Sequence, residues 1–429
     1  MKSLAERDKE VIWHPYTQMK TAALPIAIVR GEGAYLFDEN GNKYIDAVSS
    51  WWTNLHGHAH PYIAEKVSKQ LQTLEHVIFA GFTHQPAIEL AERLLKHLPS
   101  NQKRIFYSDN GSTAVEGALK MAFQYWHNKG EKRTKVLAFE NGYHGDTFGA
   151  MSVSGRSIFT KPYNDLLFEV IHIPVPVKGK ENEGLSIFKS QITNHKSQIS
   201  FFIFEPLIQG TAGMIMYDAD SLNEMVRICK ENNILTIADE VMTGFGRTGK
   251  FFACDYIMEK PDIICMSKGI TGGTMAFGVT SCTNGIYNEF LSDDKMKTLF
   301  HGHSYTANPL ACSAALASLD LLEEDETWKD IMRINAQHLQ FKTDLEKLKA
   351  VKDCRVLGTI VAIELQTKDE TSYLNNIRDL LYNYFIKQKV ILRPLGNIVY
   401  IMPPYCISDE DLKRVYSVIK NAVGIFGVS

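Results

Sequence analysis

Two short apolar runs in this chain end in opposite charges. Ile234-Leu-Thr-Ile-Ala-Asp239 closes on a carboxylate, and Asp262-Ile-Ile-Cys-Met-Ser-Lys268 closes on an amine. Both are rich in β-branched residues and read as buried parallel strands that open onto loops. Open α/β sheets bind ligands beyond the carboxyl ends of such strands, so Asp239 and Lys268 are expected to face one crevice. A buried lysine is costly unless it is paired, deprotonated or used covalently. Pyridoxal phosphate would use both groups, the lysine as Schiff-base nucleophile and the aspartate as partner of the pyridinium nitrogen. Strand-ending Asp and Lys are also common in α/β proteins, so the pair alone leaves a structural reading open.

Other segments offer matching chemistry. Asp109-Asn-Gly-Ser-Thr113 is a small-residue turn that runs straight into a helix. Free backbone N–H groups at the helix start, with the hydroxyls of Ser112 and Thr113, would cradle a phosphate. An ordinary helix cap at Ser112 or Thr113 explains the same residues. In Asn141-Gly-Tyr-His-Gly145, Tyr143 could stack on a flat heteroaromatic ring, or the segment is a surface turn. Glu205-Pro206 adds a carboxylate after another buried strand. Trp51 and Trp52 stand side by side in a Ser-flanked segment. Two neighbours cannot both face one interior, so at least one is free to wall a pocket. Arg393, after Val390-Ile-Leu392, fits a bidentate clamp on a substrate carboxylate or a domain-closing salt bridge. His56, His58 and His60 invite a metal reading. Gly57 and Pro61 make that stretch a turn, and no nearby cysteine or carboxylate completes a ligand set, so no metal is assigned.

These groups need a scaffold. From Lys103 onward strand and helix alternate: strands at Lys103–Ser108, Val136–Phe139, Ile199–Phe204, Leu235–Ala238 and Ile263–Met266, with Gly278–Cys282 as a further candidate. That alternation predicts a mostly parallel sheet covered by helices on both faces. Short strands precede it at Ile26–Arg30 and Ala34–Phe37, with a hairpin turn at Asp38–Asn42. Long helices at Leu310–Glu323 and Thr327–Leu348 follow, then strands at Ile360–Leu365, Val390–Arg393 and Ile398–Met402 and a last helix capped at Ser408. The expected division is a large α/β domain over 51–325 and a smaller α+β domain built from both chain ends, 1–50 and 326–429.

Composition is that of an ordinary globular chain: 429 residues, 45% hydrophobic, 22% charged, formal charge -3. Near-neutral charge gives no reason to expect nucleic acid or an anionic membrane as partner. The N-terminal residues lack an apolar signal core, and no apolar run approaches the ~18 residues a membrane helix needs. Seven scattered cysteines without a Cys-x-x-Cys pair fit reduced thiols in a cytoplasmic protein.

Assembled, the motifs resemble those of the class III (ω-amino-acid type) aminotransferases of pyridoxal phosphate fold type I. They are Gly57-His-Ala-His-Pro61, Asn110-Gly-Ser-Thr-Ala-Val-Glu116, Tyr143-His-Gly145, Glu205-Pro206, Ala238-Asp-Glu-Val241, Gly244-Phe-Gly-Arg-Thr-Gly249, Ser267-Lys-Gly269, Gly302-His-Ser-Tyr305 and Asn308-Pro309. They stand in family order and span nearly the whole chain. Within that class, Trp13-His-Pro-Tyr-Thr-Gln-Met19, Ser49-Ser-Trp-Trp52 and Arg393-Pro-Leu-Gly-Asn-Ile-Val-Tyr-Ile-Met-Pro-Pro-Tyr405 resemble the biotin-pathway branch. That branch aminates 7-keto-8-aminopelargonate (8-amino-7-oxononanoate) to 7,8-diaminopelargonate.

The resemblance implies roles. Lys268 is the Schiff-base lysine and Asp239 holds the ring nitrogen. Gly111 and Ser112 take the phosphate, Tyr143 stacks on the ring, and Tyr16 joins the catalytic group. Tyr16, Trp51, Trp52, Arg393 and Tyr400 line the substrate pocket, and Arg247 sits near the amino donor. Gly302 and Ser304 reach in from the second subunit of a homodimer. Better-known members of the branch carry Gly-Pro-Thr where this chain has Gly302-His-Ser304. The amino donor therefore stays open between S-adenosylmethionine and lysine. So does the wider alternative of an ω-amino acid or polyamine aminotransferase.

Overall fold

The computed structural model describes residues 2–368, 371, 373 and 375–427. Its centre is a seven-stranded sheet in the order Gln102–Ser108, Gly278–Thr283, Ile263–Met266, Leu235–Asp239, Ile199–Phe204, Lys135–Phe139, Ile171–Ile173. All are mutually parallel except Gly278–Thr283, which runs antiparallel to both neighbours. The stretch Ile199-Ser-Phe-Phe-Ile-Phe204 is buried at every position, as a strand covered on both faces must be. Successive side chains divide between those faces. Phe201 and Ile203 pack with Ala114, Leu119 and Trp126 of the helix Gly111–Asn128. Phe202 and Phe204 join Leu222, Met225 and Val226 of the helix Ala219–Glu231.

The chain ends meet each other. Ile28–Glu32, Tyr35–Asp38 and Lys43–Asp46 form a sheet whose fourth strand is Val390–Ile391, parallel to Lys43–Asp46. The predicted hairpin turn is held by Asp38, whose carboxylate accepts from the N–H of Asn40 and Asn42 and from Tyr44 Oη. A further antiparallel sheet joins Val351–Leu357, Ile360–Leu365 and Ile398–Ile401. Among the described residues no helix is long and apolar enough to cross a membrane.

Some elements were absent from the sequence reading. The strand Val351–Leu357 carries Lys352, Asp353 and Arg355 and so lacks an apolar run. The helix Glu181–His195 buries only Gly184, Phe188 and Ile192, too narrow a stripe to stand out. The strand at Val390 is shorter than expected, ending at Ile391, which leaves Arg393 in the loop beyond it.

His338 braces this half of the fold. It is fully enclosed; Nδ1 takes the hydroxyl of Tyr416 at 2.6 Å and Nε2 faces the Thr359 carbonyl at 3.1 Å. Burial pushes its pKa down to about 4, against the Thr359 hydrogen bond. The unfolded chain binds a proton on this residue near 6.5 and the folded one does not, so stability falls as pH drops from about 6.5 to about 4. A glutamine makes both hydrogen bonds without titrating. We predict that His338→Gln stays within about 1 kcal/mol of wild type at pH 8 and exceeds it at pH 4.5, read from urea midpoints. Parallel stability curves for the two proteins would refute this.

Candidate active site

Five parallel strands end at one sheet edge and deliver Asn110, Tyr143, Glu205, Asp239 and Lys268 to it. Asp239 is the last residue of its strand and is buried. It accepts from the Val241 N–H at 3.1 Å and pairs with His144 Nδ1 at 2.7 Å. His144 is itself buried, and its Nε2 has no partner. The sequence reading took Tyr143 from this motif and passed over His144 beside it.

Lys268 follows its strand in a left-handed backbone conformation, φ 48°. Such a conformation is costly for a side-chain-bearing residue and persists where the surroundings enforce it. Its Nζ lies 4.7 Å from the centre of the Trp52 ring and has no hydrogen bond or ion pair among the described residues. Burial pushes the lysine's pKa down, Asp239 and Glu205 oppose this, and Arg247 adds to it. The amine is thus easier to hold as free base than in water. Glu205 accepts from the N–H groups of Tyr143 and Gly210, both at 3.0 Å. Burial, foremost, pushes its pKa up to about 7; His144 pulls down and Asp239 pushes up.

The turn before the helix Gly111–Asn128 resolves an open question. Its cap is Asn110, which accepts from the Thr113 N–H at 3.0 Å, rather than Ser112 or Thr113. Thr113 completes a reciprocal box by accepting from the Asn110 N–H. The N–H groups of Gly111 and Ser112 then have no partner among the described residues, which is the donor set an anionic oxygen group needs. Any Cβ at Gly111 would come within 2.8 Å of Val241 Cγ1, so the helix start approaches the Asp239 strand as only glycine permits. A phosphorylated aromatic cofactor fits this cradle.

The loop carrying Tyr143 is pinned along its length. Glu205 holds the Tyr143 N–H, Ser112 Oγ accepts from the Asp146 N–H at 3.1 Å, and Glu116 accepts from the Gly149 and Ala150 N–H groups. Glu116 was quoted in the sequence motif without a role. Tyr16 Oη donates to the Asp146 carboxylate and lies 3.3 Å from Tyr143 Oη. Burial and Asp146 push the Tyr16 phenol up to about 12, so it keeps its proton at physiological pH.

An aromatic wall continues outward. Tyr16 meets Trp51 and Phe159 edge-on, each at 5.7 Å, and Phe159 meets Tyr373 at 4.9 Å. A cavity of about 550 Å³ opens beside Tyr143 and Asp146, walled by Phe159, Tyr373, Leu395 and Ile398. The two tryptophans part as neighbours must: Trp52 is buried and donates from Nε1 to Tyr400 Oη at 2.9 Å, while Trp51 is 40% exposed. Arg393 stacks on Trp51, 4.6 Å from the ring centre, with no carboxylate partner among the described residues.

Other sequence candidates lie elsewhere. Arg247, expected beside the amino donor, is sealed in the interior and donates to the carbonyls of Pro403 and Asn54 at 2.7 and 3.0 Å. Gly302 and Ser304 are exposed, on a loop where His301 stacks on Phe106, and among the described residues no hydrogen bond or ion pair joins them to Lys268. His56 bonds to Ser318 Oγ and His58 to Asp46. No group of three or more His, Cys, Asp or Glu among the described residues is placed to hold a metal.

Fold and site together define an α/β transferase built around a cradle for a phosphorylated aromatic cofactor and a nearby lysine. The chain belongs to the class III aminotransferase family, whose sequence profile matches residues 16–423. Pyridoxal phosphate is the cofactor of this family. The chain is 45% identical to the adenosylmethionine-8-amino-7-oxononanoate aminotransferase of Synechococcus elongatus, over 96% of this chain and 97% of the relative. The crystal structure of the enzyme of that name from Methanocaldococcus jannaschii superposes with a TM-score of 0.94 at 39% identity, covering 99% of both chains. An amine transaminase from an uncultivated Pseudomonas species, solved in its PLP-bound form, superposes at 0.91 with 29% identity, over 97% of this chain and 99% of that one.

The close approach at Gly111 yields a test. Gly111→Ala should weaken retention of pyridoxal phosphate about tenfold or more, read from cofactor absorbance after gel filtration. Adding Val241→Ala, which removes the clashing methyl groups, should recover much of it. Equal retention by wild type and Gly111→Ala would overturn the cradle.

Proposed function

We propose that this protein aminates 8-amino-7-oxononanoate to 7,8-diaminononanoate in biotin biosynthesis, with S-adenosylmethionine as donor. The observation that carries the substrate reading is Arg393, a cation without a counter-ion at the end of an aromatic wall. A long, largely apolar acceptor that ends in a carboxylate complements that surface. The names of the relatives support the same substrate and donor.

Bound pyridoxal phosphate supplies an electron sink for the carbon that loses its proton. The chain's own groups do the rest. Gly111 and Ser112 would offer their free N–H groups to the phosphate, and Tyr143 would cover the ring face. Asp239, oriented by His144 and the Val241 N–H, is the carboxylate that would face the ring nitrogen. Lys268 Nζ, pushed towards its free-base form, accepts the substrate proton and returns it one position along. Tyr16, whose proton is held by Asp146, presents its hydroxyl oxygen beside the bound substrate as an acceptor. Donor and acceptor occupy one pocket in turn, which gives ping-pong kinetics.

Residues 1–50 and 326–429, as one small domain, bring Tyr16, Arg393 and Tyr400 to the edge of the large domain, 51–325. The exposed Gly302 and Ser304 would serve the site of a second copy in a homodimer, where the Ser304 hydroxyl would be offered to the phosphate. The enzyme is read as cytoplasmic. Arg247, enclosed as it is, acts on the donor step through its charge. The Gly302-His-Ser304 sequence keeps lysine as the alternative donor.

Purified protein incubated with 8-amino-7-oxononanoate should form the diamine with S-adenosylmethionine and not with lysine. Diamine formed with lysine alone would change the donor, and no product with either donor overturns the substrate reading. Arg393→Ala should raise the acceptor KM by about tenfold to a hundredfold with the cofactor absorption intact, because it removes a charge-assisted pair made in the ground state. An unchanged KM would remove Arg393 from the acceptor site.

A further inference from the structure

We infer that Asp46 is a positioning residue that sets acceptor affinity by holding Trp51 and Trp52 on opposite sides of a strained turn. The inference rests on the substrate reading above. Asp46 ends the strand Lys43–Asp46 and has no exposed surface. Its Oδ1 accepts from the Val48 N–H at 3.1 Å. Its Oδ2 accepts from the Ser50 N–H at 2.7 Å and faces His58 Nε2 at 2.9 Å. The Asn54 amide donates to His58 Nδ1 at 3.3 Å, which assigns the remaining ring proton to Nε2, towards Asp46.

The turn that these bonds hold is unfavourable by itself. Ser49, Ser50 and Trp52 have φ of 50°, 60° and 66°, values that side-chain-bearing residues adopt singly and seldom in a cluster. Ser49 Oγ adds one tie, to the Met402 carbonyl at 2.8 Å. The result is the split the pocket needs. Trp51 turns outward beneath Arg393, while Trp52 turns inward over Lys268 and onto Tyr400. Among the described residues Asp46 makes no hydrogen bond or ion pair to Lys268 or Arg393. Its hydrogen bonds reach the pocket through the turn, and its charge is felt besides at Tyr400.

An amide at position 46 would set its NH2 against a main-chain N–H and could not accept from all three donors. In the holoenzyme, Asp46→Asn should raise the KM for 8-amino-7-oxononanoate about tenfold. The donor half-reaction and the absorption of the Lys268-bound cofactor should stay within about twofold, and amide exchange over residues 48–54 should speed up. His58→Ala removes one donor of three and should raise the KM about threefold. A parallel fall in both half-reactions, or unchanged KM with unchanged exchange, overturns the inference. If Asp46→Asn does not fold, His58→Ala decides by the same readouts. If the wild type does not aminate 8-amino-7-oxononanoate, the substrate reading fails, and exchange over 48–54 alone decides the role of Asp46.

Discussion

The structure is organised around the cost of keeping an anionic carboxylate dry. Stripping water from such a group costs several kcal/mol unless hydrogen bonds replace it. Asp239 receives those bonds from the Val241 N–H and from His144. Each donor has its own requirement: His144 must sit in the loop after Phe139, and Val241 must lie within van der Waals reach of a residue without Cβ at Gly111. The loop in turn needs Glu205, Ser112 and Glu116 to hold its main chain. One buried charge thereby fixes the relative placement of four strand ends.

In the proposed assignment the chemistry and the specificity come from different parts of the chain. Groups suited to the reaction ride on the central sheet, where parallel neighbours fix them in register. The aromatic wall comes from the chain ends: Tyr16 precedes the first strand, Trp51 and Trp52 follow the third, and Arg393 and Tyr400 lie on either side of the start of Ile398–Ile401. The parallel pairing of Val390–Ile391 with Lys43–Asp46 locks these two sources together. A wall built this way can change residue by residue without disturbing the register of the sheet, which suits a family that shares chemistry and varies in substrate.

Strands with continuous apolar runs were legible because burial on both faces leaves a compositional mark, as at Ile199–Phe204. Direction was not. Gly278–Thr283 runs antiparallel because Ser267–Phe277 is too short and irregular to cross over the sheet, and that shows only once the turn at Lys268–Thr271 is seen. That Lys268, Asp239 and Tyr143 meet at one sheet edge is expected from motif order, and they do lie there. Asn110 as the cap could not, since Ser112 and Thr113 are equally good capping residues and geometry chooses among them. Asp46 and His144 were missed for a related reason. Their work is done on neighbouring groups, and nothing in residue type or spacing separates such a side chain from an ordinary buried one.

Arg247 shows how far placement can depart from a reading by resemblance. A guanidinium that only braced the Pro403 and Asn54 carbonyls would be an expensive brace, because a neutral amide donor could serve without the desolvation of a charge. Its position makes more sense as a balance. Lys268 lies in the field of two carboxylates, Asp239 and Glu205, and both favour its protonated form. Burial and the charge of Arg247 act the other way. Arg247 spends its terminal N–H groups on carbonyls, lies in the field of Asp46, and its charge is felt at the lysine as well. On that reading burial and the enclosed arginine together favour the free amine at Lys268 against the two carboxylates, and Arg247 does so with its hydrogen bonds spent on the Pro403 and Asn54 carbonyls.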